Sequence, residues 1–225
     1  ATLELARAAG LTVPRMRLET LADGRQVMLI ERFDRERLEH GIGRRHMVSA
    51  LTLLALQAGD SPDSSYAAMA DAMGMHGVSA RIKQDRHELF ARMVFNILVS
   101  NDDDHLRNHA FLFDVDGAGW RLSPLYDVVP KPQVAQERML HLSIGPQGRL
   151  ARLDNALAGA GRFGLLPPDA ARIIDRVVQA VRGWRNIFES LGVSARDCDR
   201  IASAFRRAAD IGMRDVDRRL QGYAD

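Results

Sequence analysis

The spacing of apolar residues along this chain changes period several times, and each change predicts an element. Residues 3–9 read as a short helix capped by Thr2 and ended at Gly10. Residues 15–20 and 26–32 flank Asp23-Gly24, the signature of a β-hairpin. The second of these strands, Val27-Met28-Leu29-Ile30, is apolar without alternation, which predicts burial on both faces. From Glu31-Arg32-Phe33-Asp34 to Arg45 the chain is polar and reads as loop. Helical spacing starts near Ser49, with Leu51, Leu54 and Ala55 on one face, and Gly59-Asp60-Ser61-Pro62 breaks it. Tyr66, Met69, Ala70 and Met73 mark another helix ending near Gly74. The strongest signal covers 81–99, where Leu89, Phe90, Met93, Val94, Ile97 and Leu98 recur at three- and four-residue spacing, as in a central core helix.

Alternation then replaces the helical period. Phe111 and Phe113 point to one face and Leu112 to the other, Asp116-Gly117 turns, and Trp120 to Leu122 returns. Pro130 and Pro132 mark an irregular stretch, and 140–144 reads as a short strand. Pro167-Pro168-Asp169 opens a long helix. Its apolar face carries Ile173, Ile174, Val177, Val181, Trp184 and Phe188, and Gly192 stops it. Ser194 caps the next helix, and Ile201, Phe205, Met213, Val216 and Leu220 stripe a final one. The predicted class is α+β, mostly helical, with strands concentrated towards the N-terminus.

Composition narrows the function classes. At 225 residues, 46% hydrophobic and 27% charged, this is a folded chain large enough for a sizeable core. A net charge of +2 does not imply a general nucleic-acid surface. The single Cys198 excludes an intrachain disulfide framework and suits a reducing, cytoplasmic setting. No apolar run approaches the roughly 18 residues of a membrane span. Lys83 and Lys131 are the two lysines among 31 basic residues; the others are arginine.

The chemistry concentrates where the core helix ends. Ser100-Asn101-Asp102-Asp103-Asp104-His105-Leu106-Arg107-Asn108 contains Asp103 and Asn108 at the Asp-x-x-x-x-Asn spacing of a protein-kinase catalytic loop. A hairpin follows, and Asp127 lies beyond it. Magnesium favours oxygen ligands, usually one or two side chains with phosphate oxygens and water. Asn108 and Asp127 offer an amide oxygen and a carboxylate, and Asp103, left off the metal, is placed to accept a proton from an incoming hydroxyl. Paired strands bring Asn108 and Asp127 to one end of the hairpin. Phosphoryl transfer is the leading expectation, against a bland reading as a solvated acidic loop.

A metal-hydrolase cluster built on His105 and His109 is a competing expectation, weakened by the lack of a His-Glu-x-x-His pattern. His105 suits either bracing the loop or touching phosphate. Glu31-Arg32-Phe33-Asp34 reads equally as an interlobe hinge or as a salt-bridged strand end. Ser49, Ser64 and Ser65 show no Ser-His-Asp arrangement.

Three motifs in order, Ile30-Glu31-Arg32-Phe33-Asp34-Arg35, Asp103-Asp104-His105-Leu106-Arg107-Asn108 and Leu122-Ser123-Pro124-Leu125-Tyr126-Asp127, resemble the HipA family of bacterial serine/threonine kinases. Leu5-Ala6 and Gly10-Leu11-Thr12-Val13-Pro14 add to the likeness, which runs over residues 1–145. The resemblance implies a kinase-like fold with 1–34 as a remnant of the N-terminal lobe and hinge. Residues 35–225 would form a helical C-terminal lobe, with the catalytic loop and hairpin at 100–127. It implies ATP and Mg2+ as cofactors, Asp103 as catalytic base, and Asn108 and Asp127 as metal ligands. Glu31, Arg32 and Phe33 would line the adenine pocket, and His105, Arg107, Asn108, Tyr126 and Asp127 would border the phosphates. It further implies the toxin of a toxin–antitoxin pair, bound to a HipB-like helix-turn-helix antitoxin and through it to operator DNA. The substrate would be a protein such as an aminoacyl-tRNA synthetase. The family's phosphate-binding loop and ATP-binding lysine match nothing ahead of Glu31, so a C-terminal portion of a longer, kinase-active protein is expected. The alternative is a kinase-shaped module that binds antitoxin or DNA without catalysis.

Overall fold

A computed structural model describes residues 1–57, 59 and 64–221. Helix α4 (Ile82–Val99) is its axis. Leu89, Phe90, Met93, Val94, Ile97 and Leu98, spaced to share a face, are all buried, as are the intervening Ala91, Phe95 and Val99. The second half of the helix, from Leu89 to Val99, is thus buried on every side, while its first half is polar and partly exposed. Around it pack α3 (Tyr66–His76), α5 (Leu153–Gly159) and α6 (Pro167–Arg182). Helix α9 (Met213–Gln221) covers α6. At the other end of the sequence, α1 (Thr2–Ala8) lies against α6 and α7 (Trp184–Ser190), so Leu3, Leu5 and Ala6 join the same core.

Three small antiparallel sheets complete the α+β architecture. The hairpin of β1 (Met16–Thr20) and β2 (Gln26–Ile30) pairs Met16 with Ile30 and Thr20 with Gln26. A second hairpin joins β3 (Arg35–Leu38) to β4 (Gly41–Arg44). The third sheet has the order β5 (Met47–Ser49), β6 (Ala110–Asp114), β7 (Gly119–Leu122). Its register sets Ser49 against Ala110 and Phe113 against Trp120. Asp114 Oδ1 accepts from the Gly117 amide at 2.9 Å, closing the β6–β7 turn.

Charge fixes this last hairpin to the axis. Asp85 of α4 receives Arg121 Nε at 2.7 Å and Nη2 at 3.0 Å, and also the Leu122 amide at 3.2 Å. Arg92, fully buried on α4, donates to Glu88 and, at 2.7 Å, to the Ser123 carbonyl. Close backbone contact seats the hairpin on the junction between α3 and α4. The Val78 amide donates to the Trp120 carbonyl at 3.2 Å, and a Cβ at Gly119 would come within 2.8 Å of the Gly77 carbonyl carbon.

Several expectations need correction. Thr2 is the first helical residue and not a cap, since Ala1 occupies that position. β2 is exposed throughout, Met28 to 51%, because this two-stranded sheet borders an open cavity shared with α1 and residues 191–197 and does not pack tightly on them. The stretch read as loop contains β3 and β4, whose polar residues show no apolar alternation. The helix after Ser49 is short, α2 (Ala50–Leu53), and Ser49 caps it by accepting from Thr52 N. Of the predicted break after it, only Gly59 lies among the described residues. Residues 140–144 form no strand: Ser143 alone among them makes an isolated bridge, with Ser65. Gly183 ends the long helix predicted from Pro167, so Trp184 and Phe188 belong to α7. The final stripe is likewise divided among α8 (Ala195–Ile201), two 3-10 turns and α9.

Candidate active site

Helix α4 ends at Ser100, which takes a left-handed conformation (φ +54°). For a residue with a Cβ that costs about 1 kcal/mol, and local contacts have to offset it. Ser100 Oγ donates to the Ala204 carbonyl at 2.8 Å and accepts from Arg138. This bend redirects the chain from the core helix into the acidic loop.

The three consecutive carboxylates then meet three different surroundings. Asp102 is half-buried: Gln133 Nε2 donates to Oδ2 at 2.7 Å, and Lys131 Nζ lies 2.7 Å from Oδ1 as an ion pair without hydrogen-bond geometry. Asp103 faces solvent, its side chain 64% exposed, with Lys131 Nζ 4.0 Å from Oδ2. Asp104 is buried, accepting from the Tyr66 hydroxyl and lying 3.0 Å from His109 Nε2. Asn96 extends this network by donating to the Tyr66 hydroxyl at 3.1 Å and accepting from Asn101 at 3.2 Å. Burial works to raise the Asp104 pKa, but His109 and the hydroxyl and amide donors outweigh it and hold the carboxyl below its usual range. The same buried carboxylate pushes Tyr66 well up, after burial itself.

The loop closes on itself. Asn108 Nδ2 donates to the Asp103 carbonyl at 3.0 Å, and the amides of His105 and Asn108 bond the carbonyls of Asp103 and His105. This pins the Asn108 amide group with its oxygen as the remaining ligand atom. The Tyr126 hydroxyl donates to the Arg107 carbonyl at 2.7 Å, so the chain entering Asp127 is tied to the residue before Asn108. Burial and the adjacent Asp127 raise the Tyr126 phenol to about 12. It therefore remains a donor across the physiological range. Phe33 leans on the Tyr126 ring with centroids 5.7 Å apart, joining the segment after β2 to the loop. Asp127 is exposed and, like Ser100, left-handed (φ +56°).

Contacts therefore link Phe33, Tyr126, Arg107, Asn108 and Asp103, and Asp127 follows Tyr126 in the chain. Glu31 is exposed, with its amide on the Arg15 carbonyl at 2.8 Å. Arg32 is spent on Asp34, at 2.8 and 2.6 Å, as in a salt-bridged strand end. His105 packs edge-on against His141 at 5.8 Å, and its buried Nδ1 has no hydrogen-bond partner among the described residues. The Arg107 side chain is exposed. His109 belongs to the Asp104 pair, and among the described residues no group of three His, Cys, Asp or Glu side chains is placed to hold a metal. The hydrolase cluster is not formed.

Residues 1–184 match the family model for the HipA-like C-terminal domain. The chain belongs to that family. A Sinorhizobium fredii protein named "Putative kinase Y4mE" is 31% identical to this HipA-like domain over 162 residues, which is 68% of this chain and 36% of the relative. A Haemophilus influenzae "Putative kinase" is 26% identical over 155 residues, 64% of this chain and 44% of its own. Among solved structures, HipA from Shewanella oneidensis MR-1, in complex with HipB and operator DNA, superposes with a TM-score of 0.67 at 18% identity. That alignment covers 99% of the HipA-like domain and 54% of the Shewanella chain, and it shows that the fold is that of HipA. The domain thus spans between a third and about half the length of these relatives. Among its described residues no helix is long and apolar enough to cross a membrane.

Sequence reading missed the residues that support the loop from behind. Tyr66 stood out only as part of an apolar face, and Lys131 only as a rare lysine. Their partners Asp104 and Asp102 are far away in sequence, and no local pattern announces such pairs.

Proposed function

We propose that this HipA-like domain is the catalytic-loop part of an ATP- and Mg2+-dependent serine/threonine protein kinase of the toxin type. One observation carries the reading: the Asp-x-x-x-x-Asn loop is closed by the Asn108–Asp103 hydrogen bond and tied to Tyr126, leaving the Asp103 carboxylate facing solvent. A structural aspartate is turned inward, as Asp104 is; a general base has to meet its substrate. Asp103 accepts the proton of the substrate hydroxyl. The Asn108 amide oxygen and the Asp127 carboxylate, an all-oxygen pair, fit magnesium. Bound magnesium would supply charge neutralisation on the phosphate oxygens. Glu31 to Phe33 would line the adenine side, and His105 to Asn108 with Tyr126 the phosphate side.

The Shewanella HipA was solved with HipB and operator DNA, which supports a helix-turn-helix antitoxin as partner and operator contact through it. The substrate would be a protein hydroxyl. No Gly-rich loop or lysine precedes Glu31 in these 225 residues, so this chain alone is expected to transfer phosphate poorly. The test uses the full-length protein in which these residues occur. Asp103→Asn should lower magnesium-dependent phosphate transfer from ATP at least about 10²-fold while antitoxin binding persists. Equal transfer by the mutant would remove Asp103 from its role. No transfer by the unaltered protein would favour a binding module.

A further inference from the structure

Phosphoryl transfer requires positive charge on the migrating group beyond what metal ligands provide. Among the described residues the cation nearest the proposed base comes from outside the loop. Lys131 lies on the irregular segment after Asp127, and its ammonium is 2.7 Å from Asp102 and 4.0 Å from Asp103.

We propose, resting on the kinase reading above, that Lys131 is a catalytic residue that contacts the transferring phosphoryl group. Asp102 is its anchor. Gln133 hydrogen-bonds one Asp102 oxygen and the Lys131 ammonium lies as an ion pair on the other, so this carboxylate serves to hold the segment and place the amine. An ammonium has three donors, and the ion pair with Asp102 occupies at most one of them. The others are free to turn towards whatever lies against Asp103. A hydroxyl bonded to Asp103 would sit within about 3 Å of the carboxylate, and the attacked phosphorus about 3 Å farther. A cation 4.0 Å from Asp103 is within reach of that phosphoryl's oxygens. Asp102 also raises the Lys131 pKa, so the amine is charged at neutral pH.

Residue type fits the task. This chain places arginine at nearly every basic position, and an arginine here would form a planar fork on Asp102. Lysine gives a compact charge with rotatable donors that can hold the anchor and follow a moving phosphoryl together. In the step itself the hydroxyl oxygen bonds to the γ-phosphorus as the bond to the β–γ bridging oxygen breaks. ADP leaves with that electron pair, the hydroxyl proton passes to Asp103, and Lys131 keeps its protons.

The experiment compares Lys131→Met, Lys131→Arg and Gln133→Ala in the full-length protein in which these residues occur, with ATP and magnesium, reading kcat, KM for ATP and thermal midpoint. Lys131→Met should lower kcat about 10²- to 10³-fold with KM changed less than about threefold. Lys131→Arg should recover at least about a tenth of the activity. Gln133→Ala removes the second hold on Asp102 but keeps the ammonium, and should change kcat less than about threefold. If Lys131→Met keeps kcat, or if Gln133→Ala falls as far as Lys131→Met, Lys131 is only a fastening for its segment and the proposal fails. If the unaltered protein transfers no phosphate, the kinase reading fails with it. A loss in Lys131→Met beside an active parent and an unchanged thermal midpoint supports both.

Discussion

Two hairpins in this molecule read alike in sequence and end in opposite situations. Each has apolar strands around an Asp-Gly turn, Asp23-Gly24 in one and Asp116-Gly117 in the other. β6–β7 is pressed onto α4, with Phe111 1% exposed and Arg121 locked on Asp85. β1–β2 stands out from the body, with Leu18 and Met28 more than half exposed. The difference lies in what each hairpin meets. β6 gains β5 as a third strand, and α4 offers a carboxylate and a buried arginine to its partner strand. β1–β2 remains two-stranded. Apolar content marks a strand's capacity for burial, and its neighbours decide whether that capacity is used.

The contrast can be broken by truncation. Phe111→Ala should cost about 3–5 kcal/mol of unfolding free energy, whereas Met28→Ala should cost under about 0.5. Denaturant titration of the two variants measures both, and equal losses would mean that β1–β2 is buried in solution. A smaller effect should follow from charge. Arg121→Met leaves the buried Asp85 without its fork and should cost about 2 kcal/mol, again by denaturant midpoint. A neutral result would mean that the backbone contacts at Gly119, Trp120 and Leu122, with Arg92 on Ser123, suffice to fasten the hairpin.

The smallest effect is a pH dependence behind the loop. Asp104 has a folded-state pKa below its unfolded one, so its contribution is complete above the unfolded carboxylate value. It is lost as pH falls through the folded value. Unfolding free energy followed below about pH 4 should therefore decline less steeply in Asp104→Asn than in the parent, although the variant is weaker at pH 7. Parallel curves would show that another carboxylate controls the acid limb.

Much of this was legible in the residues. Helix α4 announced itself because enclosed helices show an unbroken three- and four-residue rhythm, and β6–β7 because alternation and a turn dipeptide coincide. β3–β4 escaped notice since Arg35, Glu36 and Arg37 carry no apolar period. The break at Gly183 was visible as a glycine but was overruled by the stripe running on to Phe188. Of the candidate site, the Asp103–Asn108 spacing was readable because local backbone bonds produce it. The separate fates of Asp102, Asp103 and Asp104 were not, since each depends on a partner elsewhere in the chain: Lys131, solvent, and Tyr66 with His109.

The clearance at Gly119 bears on how this region can vary. A hydrogen atom is all that separates the strand from the turn at Gly77, so a methyl group there would act as a wedge at the turn end of the hairpin. Swinging the hairpin outward would carry Leu122 to Asp127 with it, and so displace a proposed magnesium ligand without altering any residue that touches nucleotide. Sterics at the far end of this lever thus set a chemical distance at the near one.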